Sequence, residues 1–176
     1  MIIELLKYVC NELERRNIQY MLSGSLAMTT YAVPRFTRDI DIVINFRKED
    51  IEGFLSIFND QYYLDKKSIL IEIEKKGMFN VLDQKTGYKI DFILKKDTHF
   101  RDKEFERKVY KKIFDFEAWI VSKEDLIISK FIWIQDYISD MQMDDIRSLL
   151  LLNNVNRPYI DDWCKKLNLK TYNMLK

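Results

Sequence analysis

Thr37-Arg-Asp-Ile-Asp-Ile-Val-Ile44 is the stretch on which the fold turns. Side chains alternate along a strand, so Ile40, Ile42 and Ile44 form one apolar face and Asp39 and Asp41 share the other. Two carboxylates side by side repel and cost stability unless a cation lies between them. Upstream, Met21-Leu-Ser-Gly-Ser-Leu-Ala27 reads as a strand ending at Gly24-Ser25, where a helix begins. Free amides at a helix start bind anions, Gly24 lets a phosphate come close to the backbone, and Ser25 adds a hydroxyl donor. The plainer alternative is that Ser25 is an N-cap. Downstream, Tyr88-Lys-Ile-Asp-Phe-Ile-Leu94 sets Asp91 opposite an apolar face of Ile90, Phe92 and Leu94. An acid in so apolar a strand needs a reason, either an ion pair such as one with Lys89 or a bound cation. If this strand lies beside the Asp39 strand, the three carboxylates converge and suit one or two Mg²⁺ or Mn²⁺ ions.

The rest of the chain is read outward from this segment. Ile2, Leu5, Leu6, Val9 and Leu13 have helical spacing, and Ile18–Leu22 is a short strand. Leu26–Tyr31 looks helical and Pro34 closes it. Lys48–Phe58 is expected as a helix, and Tyr62–Leu94 as several strands with turns at Lys75-Lys76-Gly77 and Lys85-Thr86-Gly87. From Ser122, an N-cap followed by Lys123-Glu124-Asp125, the pattern is helical through Ile138, over Asp140–Leu152 and over Pro158–Leu167. The fold expected is α+β: a mixed short sheet with helices over 1–121, and a helical extension over 122–176 packed on it.

The 176 residues, 47% hydrophobic and 32% charged, suit one compact unit. A net charge of +1 does not advertise a nucleic-acid partner. Cys10 and Cys164 lie far apart and form no CxxC, which suits reduced thiols in the cytoplasm. The N-terminus lacks the basic region of a signal peptide, and no apolar run approaches the ~20 residues that cross a bilayer, so no membrane role is expected.

Lys130 stands among Ile127, Ile128, Phe131, Ile132, Trp133 and Ile134, where a lysine must snorkel or meet an anion. On the following helix Ile146, Leu149 and Leu150 mark the buried stripe; Asp145 lies at its edge and Asp144 points away. Asp145 is therefore the better site candidate and Asp144 the solvated one; the plainer alternative is an ion pair of Lys130 with Asp145 between packed helices, and the two readings are compatible.

A Gly-Ser at a helix start, an Asp-x-Asp strand and a later single Asp resemble the DNA polymerase β-like nucleotidyltransferase superfamily across residues 20–94. The resemblance implies that Gly24 and Ser25 bind nucleotide phosphate and that Asp39, Asp41 and Asp91 bind Mg²⁺ or Mn²⁺. Asp91 would also help to deprotonate the acceptor hydroxyl. Glu124-Asp-Leu-Ile-Ile-Ser-Lys130 and Gln142-Met-Asp-Asp-Ile-Arg-Ser-Leu149 look like the tail of AbiEii-type and related uncharacterised nucleotidyltransferases. In that likeness Lys130 contacts the triphosphate, and Asp145 orients Lys130 or assists at the acceptor. The implied activity is transfer of an NMP from an NTP to an RNA or protein acceptor, with a toxin–antitoxin pair and a cognate antitoxin as one setting. The alternative is a non-catalytic member of the fold that binds nucleotide or a partner.

Residues 95–112 carry a local excess of bases, from Lys95 to Lys112, which reads as a solvated face ahead of a nucleic-acid surface. His99 is expected in a loop without a role, and Phe131, Trp133 and Tyr137 at core spacing. An Arg-x(4–6)-His nuclease motif is excluded, since His99 has no arginine at the required distance upstream.

Overall fold

The computed structural model describes residues 2–32 and 39–175. The expected end of a helix at Pro34 and the Thr37-Arg38 pair lie outside the described residues. Helix α1 (Ile2–Arg15) buries Leu5, Leu6, Val9, Cys10 and Leu13, the stripe its spacing predicts. It leads into β1 (Gln19–Leu22), then the short α2 (Gly24–Met28) and β2 (Asp39–Asn45). The segment after β2 is shorter in its helix than expected, a 3₁₀ turn at Lys48–Asp50 followed by α3 (Ile51–Leu55).

Residues 62–94 hold one element that the sequence reading misassigned. Between β3 (Tyr62–Tyr63) and β4 (Met78–Asp83) lies a helix, α4 (Lys66–Lys75), not a strand. The run Ile69-Leu-Ile-Glu-Ile alternates like a strand, yet Ile69 and Ile73, four apart, are buried while Leu70 and Ile71 are exposed. Asp65 caps the helix by accepting from the Lys67 amide, and Lys76 ends it at φ 51°. Lys75-Lys76-Gly77 is therefore a helix stop and not a hairpin turn. The turn at Lys85-Thr86-Gly87 does join β4 to β5 (Lys89–Leu94), with Gly87 at φ +73°.

The chain continues through α5 (His99–Glu106) and the hairpin β6 (Val109–Ile113) and β7 (Phe116–Ile120) to α6 (Lys123–Asp136), α7 (Asp140–Leu150) and α8 (Arg157–Lys166). The strands form one mixed sheet in the order β3-β4-β5-β2-β1-β7-β6. Its central pair, β2 and β5, is parallel, and the hairpin partners β4–β5 and β6–β7 are antiparallel. One face carries Ile40, Ile42, Ile44, Phe79 and Phe92, all buried. Phe54 of α3 packs edge-on to Phe46, Phe79 and Phe92 there, at centroid distances of 5.2, 5.5 and 4.9 Å. The opposite face carries the acids. Helix α2 lies on it beside β2, and α6 packs on α2 and holds α7 and α8. No described helix is long and apolar enough to cross a membrane.

Two smaller expectations are corrected. Phe131 is buried, but Trp133 and Tyr137 are exposed: Trp133 falls on the far side of α6 from Ile127, Phe131 and Ile134, and Tyr137 lies past the helix end in an extended conformation. His99 opens α5, its ring 5.2 Å from that of Trp163, and is not a loop residue.

Candidate active site

Asp41 and Asp91 stand directly abreast. β2 and β5 run parallel with Asp41 opposite Asp91 and Asp39 opposite Lys89. Paired residues of neighbouring strands project to the same face, about 4.8 Å apart along the hydrogen-bonding direction. Ile90, Phe92 and Leu94 are buried on the other side, so the polar placement of all three acids follows from the strand pattern. Asp39 is exposed, Asp41 half-buried and Asp91 buried.

Gly24 explains how α2 reaches this point. Its φ is +59°, and a Cβ there would stand 1.9 Å from Asp41 Oδ2 and 2.6 Å from its Cγ. The backbone at Gly24 thus lies against the Asp41 carboxylate, an approach that only glycine permits. The Ser23 amide donates to the Asp41 carbonyl at 3.0 Å, which locks the end of β1 to β2. The N-cap of α2 is Ser23, so Ser25 is not the cap; it lies inside the first turn, half-buried.

The electrostatics are those of crowded acids. Burial raises the Asp41 carboxyl above its ordinary range, and the charges of Asp91 and Asp39 push it further; Lys130 and Lys89 oppose them. Lys89 Nζ lies 2.9 Å from Asp91 Oδ2 and 3.8 Å from Asp39 Oδ1, and its pairing with Asp91 raises its own pKa. The ion pair considered for Asp91 is therefore present. Asp91 Oδ1 is nevertheless buried without a hydrogen-bond partner. Among the described residues no three His, Cys, Asp or Glu side chains form a ready-made metal-holding group. The Lys89 ammonium sits on oxygens that a hard cation would take. An orphaned carboxylate oxygen and an all-oxygen donor set fit such an ion.

Lys130 does not point into bulk solvent. Its ammonium is buried, donates to Asp145 Oδ2 at 2.7 Å and Gln142 Oε1 at 2.8 Å, and its charge acts on Asp41. Asp145 is buried while Asp144 is exposed and pairs with Arg147, the division that the helical stripe predicts. Gln142 was not singled out from sequence, although it lies three residues before Asp145, on the same helix face. Lys89 was considered only as a structural partner.

The basic run is largely spent within the protein. Lys95 pairs with Asp102, Arg101 with Glu104 and Ser129, and Arg107 with the fully buried Asp125. Tyr159 of α8 donates to the same Asp125 at 2.7 Å. Arg101 and Arg107 thereby tie α5 to α6, and Tyr159 joins α8 to the same carboxylate.

No protein-family model matches the chain, and no curated protein matches it in sequence. Solved structures do match in shape. The antibiotic-resistance factor ANT(2'')-Ia, in its solution structure, superposes with a TM-score of 0.61 at 12% identity, covering 94% of this chain and 90% of that one. Its crystal structure with adenylyl-2''-tobramycin gives the same score and identity over 94% of this chain and 96% of that one. The chain therefore has a nucleotidyltransferase-like fold, an α+β architecture built on a mixed seven-stranded sheet.

Proposed function

We propose that the chain transfers a nucleoside monophosphate from an NTP to an acceptor hydroxyl. The observation that carries this reading is Asp41 abreast of Asp91 with the Gly24 backbone pressed against it. Asp39, Asp41 and Asp91 are the residues that would hold Mg²⁺ or Mn²⁺. When bound, the ion supplies charge neutralisation for the triphosphate and the departing pyrophosphate.

The remaining roles belong to the chain's own groups. The Gly24 amide and Ser25 hydroxyl receive phosphate oxygens. Lys130, fixed by Asp145 and Gln142, places a positive charge near Asp41, where the triphosphate gathers. The acceptor oxygen attacks the α-phosphorus and the new O–P bond forms. The bond from that phosphorus to the bridging oxygen breaks, and pyrophosphate leaves with its electron pair. Asp91 takes the hydroxyl proton. The AbiEii-type resemblance extends the reading to an RNA or protein acceptor and a cognate antitoxin. The adenylyl-2''-tobramycin bound to ANT(2'')-Ia extends it instead to a small molecule.

One observation favours a second reading. Lys89 on Asp91 and Asp39 is the arrangement of a site that satisfies its acids internally, as a non-catalytic binding protein would. Incubation with each labelled NTP, Mg²⁺ and a cell extract separates the two. Label appearing on an acceptor, and lost in Asp41→Asn, supports transfer. Full NTP binding without labelled product in any arm supports the second reading.

A further inference from the structure

The acids lie at a step in the cover of the sheet. Met21, Val43, Ile93 and Met78 form one cross-strand row on the acidic face, running from β1 through β2 and β5 to β4. Along it exposure rises from 0% at Met21 and 7% at Val43, through the half-buried Ile93, to 49% at Met78. α2 and α6 therefore cover the β1–β2 side and leave β4 open. The next row is Asp41, Asp91 and Asn80. The row beyond is Asp39, Lys89, Leu82 and Tyr63, of which Leu82 and Tyr63 are exposed.

Asn80 is out of place by local rules. Asparagine is disfavoured within strands, and here it interrupts Met78-Phe-Asn-Val-Leu. Its side chain is exposed and makes no hydrogen bond to any described residue. It shares its face and level with Asp91, whose Oδ1 is buried and unpartnered. A neutral donor and acceptor thus stands one strand from the orphaned carboxylate, on an otherwise apolar floor of Met78, Leu82 and Tyr63. The floor's one cation in these rows, Lys89, is committed to Asp91 and Asp39. Gly24, Ser25 and Lys130 lie on the covered side, so a nucleotide held by them leaves the open side to the second substrate.

We infer that the open β4–β5 floor is the acceptor subsite and Asn80 its positioning residue, and that it takes a hydroxyl-bearing molecule without negative charge and with an apolar flank. The assignment rests on the transfer reading given above. A polyanion is disfavoured, because the floor meets it with three carboxylates and one already paired lysine. The apolar flank lies on Met78 and Leu82 while Asn80 holds a hydroxyl within reach of Asp91.

The test is an NMR titration of the full chain with octyl β-D-glucoside below its micelle concentration, with poly(U), and separately with ATP and Mg²⁺. The glucoside is expected to shift the Asn80 side-chain amide and the Met78 and Leu82 methyls. Its affinity should fall about fivefold in Asn80→Ala, the loss of one hydrogen bond, and poly(U) should leave these signals in place. An unchanged glucoside affinity in Asn80→Ala, shifts elsewhere on the surface, or poly(U) binding at the floor overturns the inference. ATP and Mg²⁺ should shift the Gly24 and Ser25 amides in wild type and Asn80→Ala alike. Loss of that ATP response with the glucoside response intact refutes the transfer reading and not the floor.

Discussion

Replacing Gly24 by alanine tests the closest contact in the site. The backbone there sits at φ +59°, where an L-residue costs roughly 1–2 kcal/mol. Alanine also restricts the unfolded chain, which returns ~0.4–1 kcal/mol, so the backbone change alone amounts to a loss near 1 kcal/mol. For a chain of this size that is a fall in Tm of about 2–4 °C. The larger effect is local. The new Cβ would lie 1.9 Å from Asp41 Oδ2, whereas carbon contacts relax only near ~3.5 Å. The carboxylate must therefore retreat by more than about 1 Å from its place beside Asp91. A displacement of that size costs on the order of 100-fold in rate when a reacting constellation is disturbed. Melting curves and labelled-NTP transfer on the same preparations separate the two effects. A small drop in Tm with transfer nearly abolished is the expected outcome. Undiminished transfer, or a collapse of the fold, would refute the reasoning.

Asp145→Ala should lower stability by about 3 kcal/mol, because it removes the carboxylate that balances the buried Lys130 charge, whereas Asp144→Ala should stay within roughly 0.5 kcal/mol of wild type; thermal denaturation of both checks this. Lys89→Gln should tighten Mn²⁺ binding by calorimetry, since it removes the cation resting on Asp91 and Asp39; weaker binding would mean that Lys89 assists the ion instead of competing with it. Burial raises the Glu104 carboxyl above its ordinary value, with Arg101 and Ser129 offsetting part of the shift. The folded state then binds more protons than the unfolded one in that window, so stability falls as pH rises from the ordinary glutamate value through the raised one. Glu104→Gln should flatten that fall in Tm measured from pH 4 to 8, and an unchanged slope would contradict it.

Much of the site could be read from two strands. The alternation of Ile40, Ile42 and Ile44 against Asp39 and Asp41, and of Ile90, Phe92 and Leu94 against Asp91, fixes which face the acids occupy. That the strands are parallel neighbours in this register is a tertiary fact, and periodicity alone only allowed it. Lys130 and Asp145 were legible for a related reason: a charge in an apolar stripe demands a partner, and the next helix offered one. Helix α4 was hidden because its isoleucines imitate a strand; the better signals were its ends, the Asp65 cap and the left-handed Lys76. Lys89, Gln142 and Asn80 were overlooked as site groups because each is ordinary in its own element. They acquire meaning only when β4, β5 and α7 are brought beside the carboxylates.

The central claim is that Asp39, Asp41 and Asp91 form a cation site and not a structural acid cluster. Asp41→Asn, melted with chelator and then with Mn²⁺, tests it most directly. At ~5 Å and an effective dielectric near 20, two carboxylates repel by about 3 kcal/mol, which Lys89 and Lys130 partly offset. Removing the Asp41 charge should leave a net gain of roughly 1 kcal/mol, or about 2–4 °C in chelator. Because the Asp41 carboxyl is raised, the penalty is in full force above its raised pKa and fades as pH falls through it, so the gain should shrink as the pH is lowered into the carboxylate range. The account predicts that Asp41→Asn melts above wild type in chelator, and that Mn²⁺ raises the Tm of wild type but not of the variant. A variant that melts well below wild type in chelator, or that gains as much from Mn²⁺, would contradict it.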